Sequence, residues 1–255
     1  MVQNLLTIHE LVPHGTRQRG LHWYEQAHEA GAKAIRRHSS LTPIHAAGLI
    51  SAISPGMEYD TAHIPAFKHL LSLKPHEWNV IAASHKYKIP DPDEEGKMKS
   101  VRSPEAHALL RGTPLAKASD QQLVNAMRIR RGEHPEDVLA RSQAPKTYSF
   151  WHNIAYPDIS HHYKGADIPG PVTIDGRAHD QAVNRMVPWE FSGRRISGKG
   201  GPIQQRYSLM EHVHRQAAAA ASEQYDRPLH PHQFQAINWE GGKLLETGQI
   251  GHVVD

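Results

Sequence analysis

Residues 40–56 read SLTPIHAAGLISAISPG, and the centre of this stretch, Ala46–Ile53, holds only small or apolar side chains and one serine. Ser40-Leu41-Thr42-Pro43 is a helix start with proline at an early helical position, where its missing N–H costs nothing, and Ser54-Pro55-Gly56 is a stop. A helix without a polar face has no side to offer water, so it belongs at the centre of a helical bundle. That reading sets the expected fold class as all-α.

The pattern is helical on both sides of it. Leu21–Arg37 carries Trp23, Ala27, Ala30 and Ala34 at helical spacing and ends on Arg36-Arg37, which suits the negative end of a helix dipole. Further helices are predicted at 59–73, 76–87, 103–111, 119–131, 135–141, 146–154, 176–187, 203–225 and 231–246. Loops are predicted at Pro90–Lys99, Tyr156–Pro171 and Ser192–Pro202, each rich in proline, glycine or charge. No alternating run is long enough to predict a sheet. The 255 residues suit one helical domain spanning 1–255, or two helical lobes with crossing chain ends.

Composition narrows the chemistry. The chain has no cysteine, which removes disulfides, thiol nucleophiles and cysteine-ligated metal clusters. Its apolar runs are too short to span a bilayer, and MVQNLLTIHELVPHG lacks the basic start and long apolar core of a secretory signal, so a cytoplasmic protein is expected. The formal charge of +3 is compatible with a polyanionic partner without requiring one.

Two segments stand out as carriers of chemistry. Ala144-Pro145-Lys146-Thr147-Tyr148-Ser149-Phe150-Trp151-His152-Asn153-Ile154 delivers a lysine into the opening turn of an aromatic helix. Val172-Thr173-Ile174-Asp175-Gly176-Arg177-Ala178-His179 delivers an acid from a short apolar run to a helix start. Taken singly, Asp175 reads as an N-cap and Lys146 as a solvated lysine. Trp151 at helical spacing among apolar neighbours reads as core.

Taken together, the two segments resemble the helix-hairpin-helix DNA glycosylase superfamily, the endonuclease III-like fold. Lys146-Thr147 lies where that family's lysine and following residue lie, and Val172-Thr173-Ile174-Asp175 where its apolar run and catalytic aspartate lie. The resemblance is closer to a phage-associated glycosylase-like branch. There it rests on Trp23-Tyr24…Ala27-His28, Ala46–Pro55, Gly132…Pro135–Leu139 and Phe234-Gln235-Ala236-Ile237-Asn238-Trp239. The family's hairpin glycines are replaced by Ser142-Gln143-Ala144-Pro145, and Arg177 stands in place of the family's histidine, with His179 two places on.

The resemblance implies a helical fold of two lobes around a central apolar helix, DNA as partner and no cofactor. It also implies Asp175 as the carboxylate that stabilises oxocarbenium character and Lys146 as a nucleophile able to form a Schiff base. A duplex base has first to be flipped out, and Trp151, His152 and Asn153 are candidates to line its pocket. Thr147, Arg177, Arg130, Arg131, Arg194, Arg195 and Lys199 are candidates for phosphate contact. The same fold implies two alternatives: phage DNA base hypermodification, and a non-catalytic DNA-binding protein.

Two other patterns carry less. Gly193–Lys199 fits the spacing of a phosphate-binding loop, but Gly200 follows where serine or threonine is needed for magnesium. His161-His162 with Asp158, and His212 with His214, lack metal-site spacing, so no metal is expected.

Overall fold

The computed structural model describes residues 1–55, 62–84, 87–90, 98–158, 170–184, 203–225 and 228–249. Among them the chain is helical except for one two-stranded hairpin. It divides into two compact units, Gly31–Leu139 and a second built from both chain ends, Met1–Ala30 with Ala140–Asp255.

The unit Gly31–Leu139 is organised on α4 (Pro43–Ile53), whose residues from Ala46 to Ile53 are all buried, as its all-round apolarity requires. Close packing on this helix depends on Gly48, where an added Cβ would come within 2.5 Å of the Pro135 ring. Around it lie α5 (Ile64–Ser72), α6 (Pro75–Ala83), α7 (Pro104–Leu110), α8 (Asp120–Arg130) and α9 (Pro135–Val138). Helix α8 starts on a capping box, in which the Gln122 amide N–H donates to Ser119 Oγ and the Ser119 N–H to Gln122 Oε1. It ends on Gly132 at φ +98°, which turns the chain so that the Gly132 and Glu133 amides reach the carbonyls of Ile129 and Arg128.

The hairpin pairs β1 (Tyr87–Pro90) with β2 (Met98–Val101), antiparallel with Tyr87 opposite Val101. This corrects two expectations. Helix α6 stops at Ala83, and the predicted loop gives Pro90, Met98 and Lys99 to strands of four residues, too short for alternation to betray them.

The second unit contains α1 (Val2–Leu11), α2 (His14–Leu21), the start of α3 (Trp23–Ala34), α10 (Pro145–Ala155), α11 (Gly176–Ala182), α12 (Ile203–Ala221) and α13 (Pro231–Glu246). The first two helices had no counterpart among the predicted ones. Leu5 from α1 and Val12 just after it join Val172, Ile174, Ala178, Tyr207, Val213, Phe234 and Ile237 in one core. Helices α2 and α13 meet backbone to backbone at Gly20, where a Cβ would lie 2.6 Å from Ile237 Cα. At α1, His9 Nδ1 pairs with Asn238 Oδ1 at 3.1 Å and the Tyr225 hydroxyl donates to His9 Nε2 at 2.9 Å. Burial pushes this imidazole down to about 4, so it is neutral in the fold.

Candidate active site

The candidate site lies in the unit built from the chain ends and is organised by the extended run Pro171–Ile174, all of it buried. A buried run outside any helix or sheet must still satisfy its backbone. Helix α12 supplies the partners from residues spaced four apart. The Val172 N–H donates to Glu211 Oε1 at 3.0 Å, the Tyr207 hydroxyl donates to the Val172 carbonyl at 2.8 Å, and the Ile174 N–H donates to the Tyr207 oxygen at 2.9 Å. Arg215 reaches the Gly170 carbonyl. Glu211 is itself held by Arg141 at 2.6 Å, so the buried carboxylate is compensated.

The side chain of Thr173 faces a second polar group. Its Oγ1 accepts from Asn153 Nδ2 at 3.2 Å, and the Tyr24 hydroxyl lies 3.0 Å from it and 3.1 Å from Gln235 Oε1. Burial raises the ionisation of both Tyr24 and Tyr207 above the usual phenol range, so each serves as a neutral hydrogen-bonding group.

The run ends on Asp175, the N-cap of α11. Its Oδ1 accepts from the Ala178 N–H at 2.9 Å, and its Oδ2 accepts from the indole N–H of Trp239 at 2.9 Å. The Trp239 ring is flanked by Lys243, with Nζ 3.9 Å from its centroid, and by the Arg177 guanidinium at 4.9 Å. Asp175 is half-buried, so the carboxylate is fixed at both oxygens without being sealed.

Lys146 is the second residue of α10 and half-buried, and among the described residues it forms no ion pair. Lys146, Ser149 and Asn153 fall at i, i+3 and i+7, on one face of α10. Ser149 lies beside the Tyr207 phenol and Asn153 bonds Thr173, so this face is directed at the run that ends on Asp175.

Several expected site residues have other surroundings. Trp151 is 1% exposed and packs edge-on against Tyr148, as the core reading requires. Asn153 and His152 are buried too, and burial followed by the nearby Arg141 charge pushes His152 down to about 4. None of the three is an open pocket wall in this fold. Arg177, expected at phosphate, is buried and holds Glu246 with Nε and Nη2 at 2.9 and 2.8 Å, because the absence of a side chain at Gly242 lets α11 close on α13. Thr147 is half-buried beside Lys146. Arg130 and Arg131 belong to the other unit. Arg194, Arg195, Lys199, His161 and His162 lie outside the described residues.

The turn before α10 also departs from a phosphate-binding hairpin. The amides of Gln143 and Ala144 both donate to the Ala140 carbonyl, and Pro145 has no N–H to give. His212 is exposed, whereas His214 is buried and its Nδ1 pairs with the Met210 carbonyl, so these two do not converge. Among the described residues no three histidine or acidic side chains are grouped to hold a metal ion, and no helix is long and apolar enough to cross a membrane.

Sequence reasoning assigned no role to Trp239, Tyr207, Glu211 or Tyr24. Tyr207, Glu211 and Arg215 do carry a signal, since polar residues four apart on an otherwise apolar helix face need buried partners. Trp239 belongs to a stretch that carries the resemblance, but nothing along the chain ties it to Asp175, because only the tertiary fold brings its indole there.

A family model matches residues 99–241, more than half of the chain, and the protein belongs to that family, a family of unknown function (DUF7178). The matched stretch contains Lys146, Asp175 and Trp239. No curated protein and no solved structure matches the chain.

Proposed function

We propose that the protein processes a base in DNA by N-glycosylase chemistry on a helix-hairpin-helix glycosylase-like fold, with Asp175 as its carboxylate and Lys146 as its nucleophile. The observation that carries this reading is the pairing of a fixed carboxylate with a lysine-bearing helix face. Asp175 ends a buried run clamped by Tyr207 and Glu211 on one side and by Asn153 on the other. The α10 face that carries Asn153 also carries Lys146, a cation with no ion-pair partner among the described residues.

In this reading a carboxylate held rigidly at the far face of the sugar stabilises the positive charge that develops as the C1′–N bond breaks. Lys146 passes its proton to the base, which departs with the bonding electron pair of the C1′–N bond, and the amine so freed attacks C1′. Fixing the carboxylate beforehand avoids reorganising it during reaction.

One observation favours a second reading, a DNA-binding protein that keeps the scaffold without the reaction. Both oxygens of Asp175 are already used by Ala178 and Trp239, so the fold alone accounts for an acid at this position. The test incubates the protein with DNA carrying varied modified bases and follows released base by mass spectrometry, with borohydride to trap any covalent adduct. Base release that is lost in Asp175→Asn, with trapping lost in Lys146→Gln, supports the enzyme. An altered but retained base points to base modification, and DNA retention without any reaction points to the binder.

Asp175→Asn needs a control, because its amide sets an N–H against the Trp239 N–H and costs about 1–2 kcal/mol. Trp239→Phe removes the same hydrogen bond and leaves the carboxylate. Loss of turnover in Asp175→Asn well beyond that in Trp239→Phe assigns chemistry to the carboxylate. Equal losses reduce Asp175 to a cap.

A further inference from the structure

We propose that the unit Gly31–Leu139 carries a phosphodiester-binding surface of its own, where the turn after α3 meets the end of α8, with Arg36, Arg37, Arg130 and Arg131 as its cations. The proposal rests on the nucleic-acid reading above and says where the backbone is gripped.

Each basic cluster taken alone has an ordinary explanation, since cations favour a helix C-terminus. The tertiary structure adds something that this does not explain. It brings the two ends together: Arg130 Nη2 lies 3.3 Å from His38 Nδ1, and Arg36-Arg37 immediately precede that histidine. The guanidinium donates to a neutral imidazole, where an acid would be the ordinary partner, and burial together with the Arg130 charge keeps that imidazole below its usual range.

Four arginines elsewhere face acids, Arg102 with Asp120, Arg128 with Glu133, Arg141 with Glu211 and Arg177 with Glu246, while Arg17 and Arg19 are held by backbone carbonyls and Thr16. In this cluster, among the described residues, none of the four arginines has a carboxylate. Among the described residues the Arg131 side chain bonds only the Asn79 side-chain oxygen, at 2.7 Å, and Arg130 Nε is buried with no partner. Arg36, Arg37 and Arg131 are exposed. Like charges gathered without counter-charge cost stability, and they become favourable when a polyanion covers them.

The chemistry of that polyanion follows from the layout. Arg36 and Arg37 on one chain turn and Arg131 on another are exposed, with Arg130 half-buried between the two turns, which suits a run of phosphates better than a single small anion. The hairpin expected to hold phosphate has spent its amides on Ala140, so the backbone must be gripped elsewhere.

The test measures binding of the full-length protein to duplex DNA and to duplex RNA of the same sequence, by fluorescence anisotropy over a salt series. Arg36→Gln/Arg37→Gln is the informative variant, because both side chains are exposed and their loss leaves the fold intact, as a thermal melt checks. Arg111→Gln/Lys117→Gln removes the same charge from exposed positions on α7's flank and serves as control. We expect the first variant to bind about tenfold more weakly at low salt, for all sequences alike, and to flatten the slope of log Kd against log salt by nearly 2, at about 0.9 per phosphate contact. The control should stay close to wild type.

Preference for DNA or RNA identifies which phosphodiester is bound. Equal effects of the two variants overturn the surface, as does the absence of binding to either duplex at low salt. Binding that depends on Arg36 and Arg37 but releases no base upholds the surface while the glycosylase reading fails.

Discussion

Lowering the pH from 7 to 5 should destabilise the unit built from the chain ends far more than its carboxylates explain. His9, His152 and His214 are buried there, and burial pushes each down to about 4 from an ordinary 6.5. A histidine with a depressed pKa in the fold is protonated first in the unfolded chain. Its contribution is therefore fully present above pH 6.5 and is lost as the pH falls from 6.5 towards 4.

With one pKa unit worth about 1.4 kcal/mol, each of the three withdraws about 2 kcal/mol by pH 5. Together they remove roughly 5–6 kcal/mol, comparable to the whole stability of an ordinary domain at about 5–15 kcal/mol. Urea unfolding followed by circular dichroism at pH steps from 7 to 5 should give a slope approaching three protons, in a window above the carboxylate range. His214→Phe is the sharpest variant, because the Nε2 of His214 is buried with no partner and replacement costs only the Nδ1 bond to the Met210 carbonyl. Between pH 7 and pH 5 it should lose about 2 kcal/mol less stability than wild type, and its slope should be smaller by about one proton. A urea midpoint unchanged between pH 7 and 5, or an unchanged slope in His214→Phe, refutes the reasoning.

Two further predictions probe the packing that positions the site. Tyr207→Phe removes two of the three hydrogen bonds that fix Val172 and Ile174 and should cost about 1–3 kcal/mol in chemical denaturation, with faster amide hydrogen exchange at Ile174. Gly20→Ala drives a methyl group to 2.6 Å from the α13 backbone at Ile237 and should cost about 1–3 kcal/mol or more, read as a lowered thermal midpoint.

Local rules decided much of this protein. The all-round apolar Ala46–Ile53 was bound to be buried whatever surrounded it, because no rotation of that helix presents a polar face. Ser119 with Gln122, and Asp175 before Gly176, specify helix starts through bonds that span three residues, so the sequence contains both partners. The terminal helices α1 and α2 escaped because their faces are mixed: buried His9 and Thr16 look like surface residues until Asn238, Tyr225 and the core arrive from the far end of the chain. The four-residue strands are too short to impose a period.

What only the tertiary structure decided is the company each site residue keeps. Sequence identified Asp175 and Lys146 as residue types suited to one chemistry. The second oxygen of Asp175, however, is set by Trp239, 64 positions away, and the backbone of its run by Tyr207 and Glu211. The same long-range contacts withdrew Arg177 into an ion pair with Glu246 and joined Arg130 to His38. A cap is a matter of three or four neighbouring residues and can be read along the chain. The pairing of buried donors with acceptors is a matter of which helices pack together, and no segment carries that information by itself.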